Sequence, residues 1–246
     1  MKRIHLISGP RNISTALMYS FGNRRDTAIV DEPLYASYLS RHEDIIHPGR
    51  EDILDSQSQN AQEVIDKVFG GSYEQPILFI KNMAHHLDDL DWSFILDMDN
   101  VFLIRDPKQL IASFAQVIEE PTLLDIGIEI EYRIFQYLQD HGKPTVVIDS
   151  NEVLKNPEYV LGKLCKLLGI PFYSNMLSWK KGAREEDGVW AKFWYKNVHQ
   201  STGFIKQKSN DRPLPDRLLP LLNQAQKYYD LLCRHSIKAT EDVTTI

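Results

Sequence analysis

Cysteine is scarce in this chain: Cys165 and Cys233 are the only two among 246 residues. Two thiols cannot make a disulfide framework, so a reducing compartment is expected. Long apolar runs are missing as well. After Met1-Lys2-Arg3 the first run, Ile4-His5-Leu6-Ile7, is too short for the core of a signal peptide. No run approaches the roughly 18 residues of a membrane span. Positive charge is not in excess either: 28 Lys and Arg against 34 Asp and Glu leave a net charge of −6. That argues against non-specific nucleic-acid binding, which needs a basic surface. No internal repeat, low-complexity tract or Gly/Ser linker breaks the chain. What is there is the composition of a folded protein, 43% apolar and 25% charged. The expectation is a single cytoplasmic domain over residues 1–246, with neither nucleic acid nor membrane as partner and a homodimer left open.

Short apolar runs alternate with amphipathic stretches, the pattern of βα units around a parallel sheet. The strand candidates are Arg3–Ser8, Thr27–Asp31, Ile77–Lys81, Val101–Arg105 and Pro144–Asp149. None alternates cleanly, which fits strands buried on both faces. Helical patterns cover Ser14–Arg25, Gln59–Phe69, Pro107–Ile118, Leu123–His141, Pro157–Leu168 and Leu214–His235. In Leu123–His141, Ile126, Ile130, Ile134 and Leu138 recur at fourfold spacing and should form one buried stripe. Residues 179–212 mix Gly, cations and aromatics without a period and read as a long loop or lid, while 237–246 should fray. The fold class is therefore α/β, a three-layer α/β/α sandwich around a parallel sheet of about five strands.

Two segments carry chemistry. In Leu6-Ile7-Ser8-Gly9-Pro10-Arg11-Asn12-Ile13-Ser14-Thr15 a buried strand enters a short turn and then a helix. This arrangement aims backbone N–H groups and a helix N-terminus at one point, an anion site. Arg11 adds charge, and Ser14 and Thr15 add hydroxyl donors. An NTP-hydrolysing loop would read G-x-x-x-x-G-K-[ST]; here Ile13 and Ser14 stand where that pattern has Gly and Lys. Without the lysine a Mg-ATP kinase is disfavoured, and the plain alternative is an ordinary β-turn-α connection. The second segment is Val101-Phe102-Leu103-Ile104-Arg105-Asp106-Pro107, a strand that ends in Arg, with Asp as N-cap and Pro opening the helix. Ser113, seven residues past Asp106, lies about two turns along the same helix face. Arg105 and Ser113 can thus meet one anion at the carboxyl end of the sheet, where open α/β sheets bind ligands. Two anion sites imply a ligand with two separated phosphates.

These residues resemble the sulfotransferase superfamily, a P-loop-type fold whose donor is 3′-phosphoadenosine 5′-phosphosulfate (PAPS). Pro10-Arg11-Asn12-Ile13-Ser14-Thr15 matches its P-K/R-S-G-[ST]-T loop, with Ile13 in place of the glycine, where positive φ is costly. Arg105-Asp106-Pro107 through Ser113 matches its R-[ND]-P-x-x-x-x-x-S motif at every fixed position. Asn151-Glu152-Val153-Leu154, Pro157 and Leu168-Gly169-Ile170-Pro171-Phe172 are similar to its E-x-L-x-x-x-P and L-G-x-P-F segments. The resemblance covers about residues 1–175. It implies a metal-free transfer of a sulfuryl group from PAPS to a hydroxyl or amine of a small-molecule acceptor. Arg11, Asn12, Ile13, Ser14 and Thr15 would hold the 5′ end, and Arg105 and Ser113 the 3′-phosphate, with Arg11 also stabilising the leaving phosphate.

The proton acceptor has two candidates. Glu32 follows the second strand in an E-P context similar to that of the base in a bacterial branch acting on sugar hydroxyls. Phe79-Ile80-Lys81-Asn82-Met83-Ala84-His85-His86 resembles the K-T-H-L-P segment of cytosolic aryl and steroid sulfotransferases, where the base is histidine. By direct register that histidine is Met83, so His85 or His86 would serve only with a longer loop. Adjacent side chains point in opposite directions, so at most one of the two is expected in the site. Glu32 is preferred. Lys81 is a candidate contact to substrate or sulfonate; Lys180, Lys181 and Arg184 in the lid are equally compatible with a plain surface. The competing readings are a kinase with a degenerate loop and a non-catalytic nucleotide-binding or interaction domain.

Overall fold

The computed structural model describes residues 1–45, 47–204 and 212–240. Six strands, β1 Lys2–Ser8, β2 Thr27–Asp31, β3 Ile77–Met83, β4 Asp99–Ile104, β5 Thr145–Asp149 and β6 Ser236–Ile237, form one sheet in the order β2-β3-β1-β4-β5-β6. Every pairing is parallel. Alternate strand residues face opposite sides. Ile7, Leu78, Ile80 and Phe102 therefore join one apolar core, while Leu6, Ile77, Phe79 and Leu103 join the other. Helices Pro107–Phe114, Ile128–Asp140 and Leu219–Cys233 cover the first face; Ser14–Gly22 and Pro157–Leu167 cover the second. Burial on both faces explains why the strands read as unbroken apolar runs.

The sixth strand is an addition. Ser236 and Ile237 pair with Val147 and Ile148, so the chain is still ordered at residue 237, where fraying was expected to begin. Backbone hydrogen bonds to an existing edge hold a two-residue strand too short to be read from its pattern. Residues 241–246 lie outside the described ones. The long helical pattern Leu123–His141 is also two helices, Leu123–Ile126 and Ile128–Asp140, split by Gly127 at φ 73°. All four stripe residues, Ile126, Ile130, Ile134 and Leu138, remain buried.

The stretch expected to be a lid is anchored instead. Helices Ala191–Trp194 and Lys196–Gln200 interrupt it, and Trp179, Trp190 and Tyr195 are buried. Aromatic area of this size is costly to leave in water. Residues 205–211 of that stretch lie outside the described ones.

Candidate active site

The strand order sets out the site. Glu32 follows β2, Lys81 lies near the end of β3, the Gly9–Thr15 turn follows β1, and Arg105 follows β4. Neighbouring strands are about 4.8 Å apart, so these groups span three intervals, roughly 14 Å. The order also reverses here: β2 and β3 lie to one side of β1, and β4 to the other, the crevice where such sheets bind ligands. A cavity of about 1010 Å³ opens over it. Arg11, Asn12, Ile13, Ser14, Thr15, Glu32, His85, His86, Arg105 and Ser113 all line this cavity.

At the β1–β4 end the turn is built without the glycine. Ile13 has φ −89°, and the left-handed residue is Arg11 at φ 54°. A non-glycine residue there costs about 1–3 kcal/mol, which its surroundings must offset. Arg105 Nη1 donates to the Arg11 carbonyl, and Arg11 Nε donates to Ser113 Oγ at 3.2 Å. Asn12 was expected to touch the ligand, but its side chain is committed to the turn. Nδ2 donates to the Leu103 carbonyl at 2.8 Å and Oδ1 accepts from Ile13 N at 2.9 Å. Burial lowers the proton affinity of both Arg11 and Arg105; Arg212 adds to the effect on Arg11, and Arg11 to that on Arg105. Among the described residues neither guanidinium has a carboxylate within 4.0 Å. An anion between them would relieve the crowding. Arg212, Lys108 and Lys155 also line the cavity, as no local motif in the sequence indicated. Lys180, Lys181 and Arg184 do not, and the Arg184 guanidinium lies 4.1 Å from the centre of the Tyr19 ring.

At the β2–β3 end lies a buried ionic cluster. Strand register places Asp31 opposite Lys81. Lys81 Nζ donates to Asp31 Oδ1 and to Glu32 Oε1, each at 2.6 Å, with both Lys81 and Asp31 side chains 1% exposed. Lys81 is therefore engaged with carboxylates instead of being free for a sulfonate. Tyr195 Oη lies 2.7 Å from Asp31 Oδ2 and 3.2 Å from Glu32 Oε1, and accepts from Trp190 Nε1 at 3.0 Å. Burial opposes the charge on Lys81, but Asp31 and Glu32 outweigh it and hold its proton affinity above the ordinary value. For Glu32, burial and then Asp31 raise the pKa against the pull of Lys81 and Tyr195. Glu32 itself sits at φ 42°, its backbone clamped by Glu32 N donating to the Lys81 carbonyl at 2.8 Å and Gln57 Nε2 donating to its own carbonyl at 3.1 Å.

Both histidines line the cavity, contrary to the expectation that they diverge. β3 ends at Met83, and Ala84–Leu87 is a single 3₁₀ turn. Successive side chains there are about 120° apart, not opposed as in a strand. Burial drives the pKa of His85 down to about 3 and that of His86 well below its usual value, so both rings are neutral. His86 Nε2 is 3.9 Å from Glu32 Oε2, and its ring stacks on Tyr35 at 4.4 Å.

Residues 1–235 match the family of sulfotransferase domains. The chain belongs to that family. A branched-chain-amino-acid aminotransferase-like protein 1 of Arabidopsis thaliana is 39% identical over 94% of this chain. The chain spans 42% of the length of the curated relatives it matches. The sulfotransferase domain of a Synechococcus olefin synthase superposes with a TM-score of 0.61 at 19% identity, covering 94% of each chain. A mouse sulfotransferase complexed with 3′-phosphoadenosine 5′-phosphate (PAP) gives 0.50 at 12% identity over 96% of this chain and 86% of the other. At such identities the structural likeness speaks for the P-loop-like α/β fold alone. No described helix of this sulfotransferase-family protein is long and apolar enough to cross a membrane.

Proposed function

We propose that this protein transfers a sulfuryl group from PAPS to a hydroxyl of a small-molecule acceptor. One observation carries the reading: a carboxylate with raised proton affinity and two guanidiniums that have no carboxylate partner among the described residues open onto one cavity, separated by the width of the central strands. The residues fit the donor. Arg105 with Ser113, and the Gly9–Thr15 turn with Arg11, offer two anion positions, as a nucleotide phosphorylated at both 3′ and 5′ ends requires. PAPS supplies the sulfuryl group.

In the step proposed, the acceptor oxygen bonds to sulfur as its proton passes to Glu32. The sulfur–oxygen bond to the 5′-phosphate breaks, and PAP departs. Arg11 and the backbone N–H groups of the turn meet the negative charge that gathers on that phosphate. The burial that raises the pKa of Glu32 brings it closer to neutrality, where a general base works best. Imidazoles as hard to protonate as His85 and His86 are poor acceptors of that proton. They serve better as neutral hydrogen-bonding groups around the acceptor.

The test begins with melting temperature in PAP, run beside Mg-ATP. Ligand at 100 times its Kd adds about 2.7 kcal/mol of stability. A rise with PAP alone is expected; a rise only with Mg-ATP would favour a kinase and sink the reading. PAPS turnover against a panel of alcohols follows, with Glu32→Gln as the control. That variant should bind PAP normally and lose turnover, and full residual activity would remove Glu32 from the role.

A further inference from the structure

The cluster at the ends of β2 and β3 contains a group with no part in the transfer step. Two carboxylates and one ammonium are sealed together, leaving a formal excess of one negative charge in a buried site. Such an excess is costly unless donors are spread over both carboxylates. The donors are unevenly placed. Asp31 faces Lys81 Nζ at 2.6 Å, Tyr195 Oη at 2.7 Å and Gly188 N at 3.4 Å. Glu32 has Lys81 on Oε1 and the more distant Tyr195 hydroxyl, while its Oε2 faces His86 Nε2 at 3.9 Å. Tyr195 comes from a segment 114 residues beyond Lys81 and is 5% exposed; its hydroxyl accepts from Lys81 Nζ at 2.5 Å and from Trp190 Nε1 at 3.0 Å, which leaves its own proton for Asp31.

We propose that Tyr195 is a positioning residue whose hydroxyl, by supplying Asp31, leaves Lys81 shared with Glu32 and so keeps Glu32 unprotonated and available to the acceptor. This rests on Glu32 being the base. The same contact pins the segment carrying Trp194, Val198 and Phe204, which lines the cavity, to the strand end that carries Glu32. The groups facing Glu32 are Asp31 on its own strand, Lys81 from β3, Tyr35 from the helix Tyr35–Arg41, His86 from the 3₁₀ turn after β3, and Tyr195. Of these, Tyr195 can be altered by one atom while its ring and its packing stay.

The test is the titration of Glu32 in the full chain with ¹³C-labelled glutamate carboxyls, its resonance assigned with Glu32→Gln. In Tyr195→Phe the Glu32 midpoint should move to higher pH by about one unit, a tenfold change in its ionisation constant. PAP affinity should stay unchanged, because the phosphate-binding end is not touched. Incorporation of 3-fluorotyrosine at position 195, a stronger donor, should move the midpoint the other way, which covers the case in which the Phe variant folds poorly. A midpoint that stays put in both variants overturns the proposal. If Glu32→Gln is inactive while the Tyr195 variants titrate like the parent, the base assignment stands and Tyr195 falls. If Glu32→Gln keeps full turnover, the base assignment falls and takes the role of Tyr195 with it.

Discussion

Lys81→Met tests the buried cluster most directly. The substitution keeps length and apolar bulk, so little packing is lost. It removes an ammonium that is 1% exposed and lies 2.6 Å from both Asp31 Oδ1 and Glu32 Oε1. Breaking a buried pair by deleting one partner costs about 3–5 kcal/mol, because the remaining charge has no compensation. Here two carboxylates are left, so the upper part of that range is expected once both are ionised. Against a total stability of about 5–15 kcal/mol this is a large fraction. The pH dependence separates this cause from loose packing. Lys81 opposes the rise that burial and Asp31 impose on the pKa of Glu32, so its removal lifts that pKa further. A pKa raised above its unfolded value of about 4.3 favours folding at low pH, and that contribution disappears as pH rises through the folded value. The deficit of the variant should therefore be smaller near about pH 5 than near about pH 8. Urea unfolding of both proteins at the two pH values measures it. An equal deficit at both would refute the electrostatic account and leave only altered packing.

Two further predictions concern the phosphate end. Arg105→Ala should weaken PAP binding at least tenfold, about 1.4 kcal/mol, by calorimetry. It deletes a charge-assisted contact and also releases the Arg11 carbonyl that holds the left-handed turn; unchanged affinity would remove Arg105 from the 3′-phosphate. Gly9→Ala would bring a methyl within 2.7 Å of the Ile126 carbonyl and 3.3 Å of Leu110 Cδ1. Overpacking against backbone costs about 1–3 kcal/mol, so a melting temperature equal to the parent's would contradict the close approach of loop and helix.

The phosphate end was legible because its determinants are local. A strand, a Gly-Pro turn and a capped helix are encoded within about ten residues, and so is the Arg105 to Ser113 spacing. The same holds for the helix cap at Asp106, which accepts from Gln109 N at 3.0 Å, at the position its residue type indicates. The strands of the three-layer fold showed because burial on both faces leaves long apolar runs, but a two-residue strand such as β6 has no such run to read.

The base end was different. Glu32, His85 and His86 could be named as candidates, but nothing near them in sequence says what surrounds them. Strand register across 50 residues put Asp31 opposite Lys81, and a residue 114 positions further on closed the cluster. A single 3₁₀ turn, set by where β3 stops, turned both histidines into the cavity. Sequence by itself determined the strands, the caps and the anion-binding turns, since periodicity and hydrogen-bonding options are properties of neighbouring residues. Only the tertiary structure decided which carboxylate shares Lys81 and which imidazoles stay neutral. Proton affinity depends on burial and on charges brought together from distant parts of the chain.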